Sequence, residues 1–482
     1  MAGENLGDRA KRGLIWNTVE RLVTNGIQFI LTVILARLLS PDDYGIIAMP
    51  AIFLAIAQVL IDSGFANALI RKPDLDEKDL STAFYFNILV GIASYLILFL
   101  ASPLIARFFN TPILSQLLKV TAIVVFINSL GIVQQALMTK KMDFKTQAVI
   151  SAISTFTSGV IGVWMAYNGY GVWSLVSQQV SSALLRVLLL WTFGHWHPIR
   201  IWSKDSFNYL WSYGNKVVVV GLLDSIFNNV YAFVIGKKYN ASDLGNYTRA
   251  QQFAEFPINN IGGIVQRVTL PLLSEIQDDN RRLRYIYLRL IEMNSLLIFP
   301  LMLGLAAMSR PIIILLLGVE WEGCVILFQI LCFAKIWTPI NAINSNLLQV
   351  KARTDLLLRV EIGKKMVLTL AILITFSFGI LFLISGYAFC SILVFIINTY
   401  YSKQLIGITL HEQFKVILPS LLLSVFLFGI VFLLNSLIDN MIMMLLLDIA
   451  IYSIGVLFYL CFFKKDMLVF IRSNVMKRKD LK

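Results

Sequence analysis

Charge is what this chain has least of. Asp, Glu, Lys and Arg make up 14% of the 482 residues, and apolar types make up 58%. Charged residues ordinarily approach a quarter of a soluble globular domain, so that class is excluded. Histidine is rarer still, with three copies, and cysteine has four. Cys324, Cys332, Cys390 and Cys461 are scattered through apolar stretches at no metal-ligand or redox spacing, and read as small core residues. His195 and His197 stand beside Trp196 and Trp202 with no third ligand nearby, which reads as an interfacial aromatic patch rather than a metal site. No Gly-x-x-x-x-Gly-Lys-Ser/Thr loop occurs, so the chain is not expected to hydrolyse ATP by itself. The longest loops, such as Phe193–Gly214, leave no room for a soluble domain. No cofactor and no metal are expected.

Long apolar runs fill the rest. A hydrocarbon core ~30 Å thick asks for about 20 apolar residues per helix. Fourteen such runs are expected, near 14–36, 45–67, 82–101, 113–135, 146–167, 171–193, 215–236, 250–272, 287–309, 323–345, 360–383, 386–403, 415–436 and 441–463, with Gly386 dividing the long stretch 360–403. Alternating porin-type strands are absent, so the fold class is an all-α polytopic membrane protein. The net charge of +13 orients the chain rather than marking it for nucleic acid. Lys and Arg gather in the termini and in alternate loops, for example Arg71, Lys72 and Lys78, then Lys140, Lys141 and Lys145, then Arg281, Arg282 and Arg284. Opposite loops such as Tyr167–Gly171 and Asn435–Met441 carry no base. By the positive-inside rule both termini are expected in the cytoplasm. Met1–Gly13 is polar and no small-residue cleavage site follows the first run, so no cleavable signal is expected.

A weak internal repeat gives the organisation. Ile34–Ala48 (ILARLLSPDDYGIIA) and Val234–Thr248 (VIGKKYNASDLGNYT) lie 200 residues apart. Each closes an apolar run with a small residue and a base, then leads through Asp-x-Gly (Asp43–Gly45, Asp243–Gly245) into the next run. Ala136–Lys145 and Leu348–Leu357 echo it, with Asp143 and Asp355 212 apart. The expectation is two six-helix lobes in pseudo-twofold repeat, 1–204 and 205–410, with two extra helices and a basic tail in 411–482. Repeat-built transporters hold their substrate between the repeats.

Charges at membrane depth cost ~2.5–3.5 kcal/mol on insertion scales and default to functional candidates. Asn17, Arg21, Thr24, Gln28 and Thr32 recur at helical spacing, with Glu20 and Asn25 on the same run. Run seven carries Lys216, Asp224, Ser225, Asn228 and Asn229. Run eight carries Gln252, Glu255, Asn259, Gln266 and Arg267, with Pro257 as an expected kink. Run two adds Gln58, Asp62 and Asn67. These four runs hold equivalent places in the two halves, which predicts a wet central cleft. Guanidinium and ammonium groups suit phosphate, so Arg21, Lys216, Arg267 and mid-run Lys335 are the candidate cationic binding residues. Glu20, Asn25, Gln28, Asp62, Asp224, Asn228, Glu255 and Asn259 are the candidate polar lining. Its acids would neutralise the bases in the empty state, or bind a coupling H+ or Na+. Lys119, Arg186 and Arg289 lie near run ends and read as snorkelling. For Asp448 a packing hydrogen bond to another helix is one reading, and the sequence alone does not decide it.

Arg37–Gly45 (RLLSPDDYG), Leu244–Ala250 (LGNYTRA), Leu315–Trp321 (LLLGVEW) and Lys351–Leu357 (KARTDLL) resemble the Wzx-type polysaccharide exporters, close to the lipopolysaccharide and colanic-acid branch of the multidrug/oligosaccharidyl-lipid/polysaccharide (MOP) superfamily. The resemblance implies a flippase that moves an undecaprenyl-diphosphate-linked oligosaccharide to the outer leaflet of the bacterial inner membrane by alternating access. It implies membrane lipids and polysaccharide polymerase or chain-length machinery as partners, no nucleic acid, and no enzymatic step. Arg21 and Arg267 take the family's cationic cleft role, with Lys216 beside them. A lipid II-type flippase and a MATE-like drug/cation antiporter are the rival expectations.

Overall fold

The computed structural model describes residues 23–463, with 263–268 and 463 as backbone alone. All regular structure among the described residues is helical. In chain order the helices are α1 (Val23–Leu38), α2 (Pro41–Ala48), α3 (Ala51–Asp62), α4 (Phe65–Arg71), α5 (Glu77–Phe108), α6 (Ile113–Thr121), α7 (Ile123–Ser129), α8 (Ile132–Lys140), α9 (Phe144–Tyr167) and α10 (Val172–Phe193). There follow α11 (Lys204–Lys238), α12 (Ala241–Glu275), α13 (Asn280–Ala307), α14 (Ser309–Leu317), α15 (Glu322–Lys335), α16 (Thr338–Val350), α17 (Thr354–Thr375), α18 (Ile380–Ile406), α19 (Leu410–Asn435) and α20 (Met441–Phe463).

Ten helices among the described residues are long and apolar enough to cross a membrane, or up to twelve if each of two bent pairs is one span. The expected count of fourteen is therefore not reached. The helices left over are α12 and α17. The first carries Arg249, Gln251, Gln252, Glu255, Asn259 and Asn260, and the second carries Arg359, Glu361, Lys364 and Lys365. The apolar runs also hide breaks. Run two is α2, α3 and α4, and run four is α6, α7 and α8. In contrast, α12 runs helical through Pro257 and Pro271.

Contacts divide the chain into two compact units, residues up to Thr248 and residues from Arg249. In the first unit, Phe65, Leu69, Ala83, Phe84, Val133, Trp196 and Leu210 form a core that draws α4, α5, α8 and α11 together. The loop after α10 is sewn onto the start of α5. Trp196 Nε1 donates to Glu77 Oε2 at 2.7 Å, and the Ile199 and Ser203 amides donate to Ser81 Oγ and Thr82 Oγ1. Trp196 is thus a buried anchor and not part of an interfacial patch, whereas Trp202 stays exposed and stacks on Phe207. In the second unit, α13 packs along α19. A buried polar cluster joins them to α16 and α18. Tyr287 donates to Asn344, lies 2.9 Å from Ser402 Oγ and accepts from Gln413 Nε2 at 3.0 Å.

The repeated segments fold alike. Ser40 caps α2 with a reciprocal box to Asp43, and Asn240 Oδ1 accepts from the Asp243 amide at 2.7 Å at the head of α12. The two helix heads meet reciprocally. A Cβ on Gly45 would lie 1.7 Å from Ala241 O, and one on Gly245 would lie 1.9 Å from Pro41 O. Residues 41 and 241 occupy the same place in the repeat, as do 45 and 245, so a local twofold relates the contact. The second echo also holds, in a shifted register. Met142 and Ala352 each end a helix in the left-handed region, at φ 58° and 53°. Each closure is the same Schellman pattern, Asp143 N to Met138 O and Arg353 N to Leu348 O, both at 2.9 Å. The structural repeat there is 210 residues, because Met142 pairs with Ala352 rather than Asp143 with Asp355. Asp143 caps α9, while Arg353 donates two bonds that hold the exposed Asp355 carboxyl down to about 2.

Candidate functional site

A polar cavity of about 760 Å³ lies within the first unit, walled by α3, α4, α7, α8, α10 and α11. Two helix breaks open onto it. Ser63 and Gly64, both left-handed, separate α3 from α4, and Leu130–Gly131 separates α7 from α8. Gly64 and Gly131 are on the wall. Irregular backbone at membrane depth is tolerated where it is buried in protein or lines a wet cavity. The break at Gly64 also needs close approach, since a Cβ on Gly214 of α11 would lie 2.2 Å from Ser63 O.

The cavity's polar side chains are Gln58, Asp62, Asn67, Asn128, Gln135, Thr139 and Arg186. They form two short relays. Asn128 Nδ2 donates to Gln58 Oε1 at 3.0 Å, and Gln58 Nε2 donates to Asp62 Oδ1 at 3.1 Å. Opposite in sign, Arg186 Nη2 donates to Gln135 Oε1 at 3.1 Å. Among the described residues, Asp62 and Arg186 are the charged groups on the wall, one of each sign.

Of the expected site residues whose side chains are described, Asp62 alone lines this cavity. Lys216 lies on α11 next to the lining residues Val217 and Val218, is exposed, and has no partner among the described residues. Asp224 and Asn228 follow it on α11, both exposed, and Asn25 and Gln28 are exposed on α1. Glu20 and Arg21 lie outside the described residues, as does the Arg267 side chain. Arg186, expected to snorkel, instead turns to Gln135 across the cavity wall. The signal for it was the amide set Asn128, Gln134 and Gln135 in an otherwise apolar run. Arg289 pairs with Glu292 at 2.8 Å, and Lys119 Nζ sits 5.0 Å over the Phe99 ring.

In the second unit two candidates meet each other. Lys335 Nζ lies 2.6 Å from Glu255 Oε1, which also accepts from Gln251 Nε2 at 3.0 Å. Lys335 Nζ is 5.7 Å from the Tyr387 ring centre as well. The lysine expected to bind substrate is therefore neutralised by an acid expected to line the cleft. Asn259, one turn further along α12, is exposed. Asn341 and Asn344, near Lys335 in sequence, bond Asn398 and Tyr287 instead. Asp448 accepts from Asn435 Nδ2 at 3.0 Å, a packing bond between α19 and α20 that the sequence left undecided. The second unit also has an apolar groove of about 730 Å³ between α13 and α20, lined by Leu296, Pro300, Gly304, Tyr452, Val456 and Leu460 among others.

Membrane-length helices around a wall of amides and charges define a polytopic transport protein, because a polar interior in such a bundle is kept for a polar passenger. The chain belongs to the family described as "Polysaccharide biosynthesis protein", which it matches over residues 34–326. It is similar to the teichuronic acid biosynthesis protein TuaB of Bacillus subtilis, 25% identical over 86% of each chain. It is also similar to the lipopolysaccharide biosynthesis protein WzxC of Escherichia coli, 25% identical over 77% of this chain and 76% of that one. Among solved structures, the lipid II flippase MurJ in an inward closed conformation superposes with a TM-score of 0.77, at 16% identity over 94% of this chain and 100% of that one. An inward-facing MATE family transporter of the MOP superfamily superposes at 0.63, with 13% identity over 80% and 94%. At those identities the likeness to the solved structures is one of fold. The exporter resemblance and the all-α membrane class read from the sequence are both borne out.

Proposed function

We propose that this protein flips a polyprenyl-diphosphate-linked oligosaccharide, the repeat unit of a surface polysaccharide, from the cytoplasmic to the outer leaflet of the bacterial inner membrane, with both termini in the cytoplasm. The observation that carries this reading is the polar cavity of the first unit, set among helices apolar enough to span a bilayer, in a chain of the polysaccharide biosynthesis family. The names of its relatives point to polysaccharide assembly in several bacteria. A sugar head group is too polar to cross lipid, whereas its polyprenyl tail is at home there. The apolar groove between α13 and α20 suits such a tail. Arg21, Lys216 and Arg267 are the bases assigned to the diphosphate, by chemistry and by place in the sequence. Alternating access needs a ligand or ion that binds the two states unequally, and H+ or Na+ at the acids is the proposed driver. No covalent step is required.

Deletion of the gene followed by extraction of lipid-linked glycans tests this. The expected outcome is accumulation of polyprenyl-diphosphate oligosaccharide and loss of surface polysaccharide. Unchanged glycan export, with altered resistance to cationic dyes, would move the assignment to a drug antiporter.

A further inference from the structure

We propose that the cavity of the first unit is a sugar-reading subsite, separate from the bases that hold the diphosphate; this rests on the flippase reading above. The lining chemistry separates three classes of ligand. A phosphate needs donors alone, and a bare cation needs acceptors alone. A sugar hydroxyl both donates and accepts, so its site must present both. Among the described residues this wall does so with one acid and one base, Asp62 and Arg186. Asp62 gives one carboxylate oxygen to Gln58 and keeps the other open, and Asn128 keeps its carbonyl open. Arg186 gives one N–H to Gln135, and the Asp62 carboxylate is the opposite charge that faces it; with one hydrogen bond made among the described residues, donors of its five remain open. Acceptors cluster with Asp62 and Asn128, donors with Arg186 and the Gln135 amide nitrogen. The two relays fix these groups before a ligand arrives: Asn128 holds Gln58, Gln58 holds Asp62, and Gln135 holds Arg186. The helix breaks at Gly64 and Gly131 lie on this wall, and both glycines are closely packed: a Cβ on Gly64 would lie 2.9 Å from Gly214 Cα, and one on Gly131 would lie 3.1 Å from Leu190 Cδ1. The volume lies within the ~300–1,000 Å³ usual for small-molecule sites, which suits a part of a glycan rather than the whole of a long one. The inference is that the first unit selects which glycan is carried, through Asp62, Asn128, Gln135 and Arg186.

Binding of two probes to the purified full-length protein in detergent tests this. One probe is the lipid-linked glycan pool extracted from cells lacking the protein, and the other is undecaprenyl diphosphate without sugar. Wild type is expected to bind the glycan-bearing pool about tenfold more tightly than the bare carrier. Asn128→Ala, Gln135→Ala and Arg186→Lys are each expected to weaken binding of the pool by about five- to tenfold, the usual value of a lost hydrogen bond or two, and to leave the bare carrier unchanged. Asp62→Asn keeps the shape and is expected to do the same. Melting temperatures of the apo variants check that each is folded. Equal binding of both probes by wild type, or equal weakening of both in every folded variant, overturns the sugar subsite while the flippase reading stands. If no glycan pool accumulates, or wild type binds neither probe, the flippase reading falls first.

Discussion

Gly45→Ala adds one methyl group where the fold has no place for it. The new carbon would lie 1.7 Å from Ala241 O, 2.5 Å from its carbonyl carbon and 2.9 Å from its Cα, all of them backbone atoms. No rotamer change relieves such a clash, so the heads of α2 and α12 must separate. Ordinary contact begins near 3.4 Å, which asks for a retreat of about 1.7 Å. Overpacking of this kind costs ~1–3 kcal/mol, and the better helix propensity of Ala returns up to ~1 kcal/mol. A net loss of about 1–2 kcal/mol corresponds to a fall of roughly 2–8 °C in the melting temperature of a unit of this size. Gly245→Ala meets Pro41 O at 1.9 Å and should behave alike. Because the contact is reciprocal, one separation admits both methyl groups. The double variant should therefore melt close to the worse single variant, well short of the sum. Gly429→Ala on α19, which meets nothing within 4 Å, is the control and should melt at or above wild type. Thermal melts of the four proteins in detergent, at one scan rate, read all of this. Single variants as stable as Gly429→Ala, or a strictly additive double variant, would refute the reciprocal contact.

Lys335→Ala leaves Glu255 without its cation, and Glu255→Ala does the converse; with side chains 13% and 32% exposed, each should lose ~1–3 kcal/mol. The double variant should recover part of that loss, which a double-mutant cycle of melts measures directly. Tyr287→Phe strips the hydroxyl shared by Asn344, Ser402 and Gln413 and should lower stability by ~1–3 kcal/mol, seen as faster thermal inactivation. Ala352→Gly relieves a left-handed residue that costs ~1–2 kcal/mol, less the extra freedom of glycine in the unfolded chain, for a gain of ~0.5–1 kcal/mol in the melting assay.

The helical class and the repeated loops were legible because each follows from local rules: run length, charge alternation, and Asp-x-Gly at Asp43–Gly45 and again at Asp243–Gly245. The breaks inside runs two and four were not, since hydropathy continues across Ser63–Gly64 and Leu130–Gly131 while the backbone turns. Gly64 carried a hint, but its need for room is set by Gly214, which is 150 residues away in the chain. Arg186 was misread for a related reason. Distance from a run end says how far a side chain could reach towards water, yet Gln135 on another helix offers a nearer partner. The Lys335–Glu255 pair shows the same limit. Each charge reads alone as a binding candidate, and only the fold sets them 2.6 Å apart.

That pair also has a history in time. Its partners are 80 residues apart, with Glu255 made first. At ~5–20 residues per second of synthesis, the acid waits roughly 4–16 s before its lysine exists. Through that interval α12, already too polar to count among the membrane-length apolar helices, bears a carboxylate with no cation opposite it on a segment crowded with amides. Such a helix has little reason to leave the insertion machinery alone. Biogenesis should hold α12 back until α15 emerges, so the order in which spans enter the bilayer should depart from the order in which they are made.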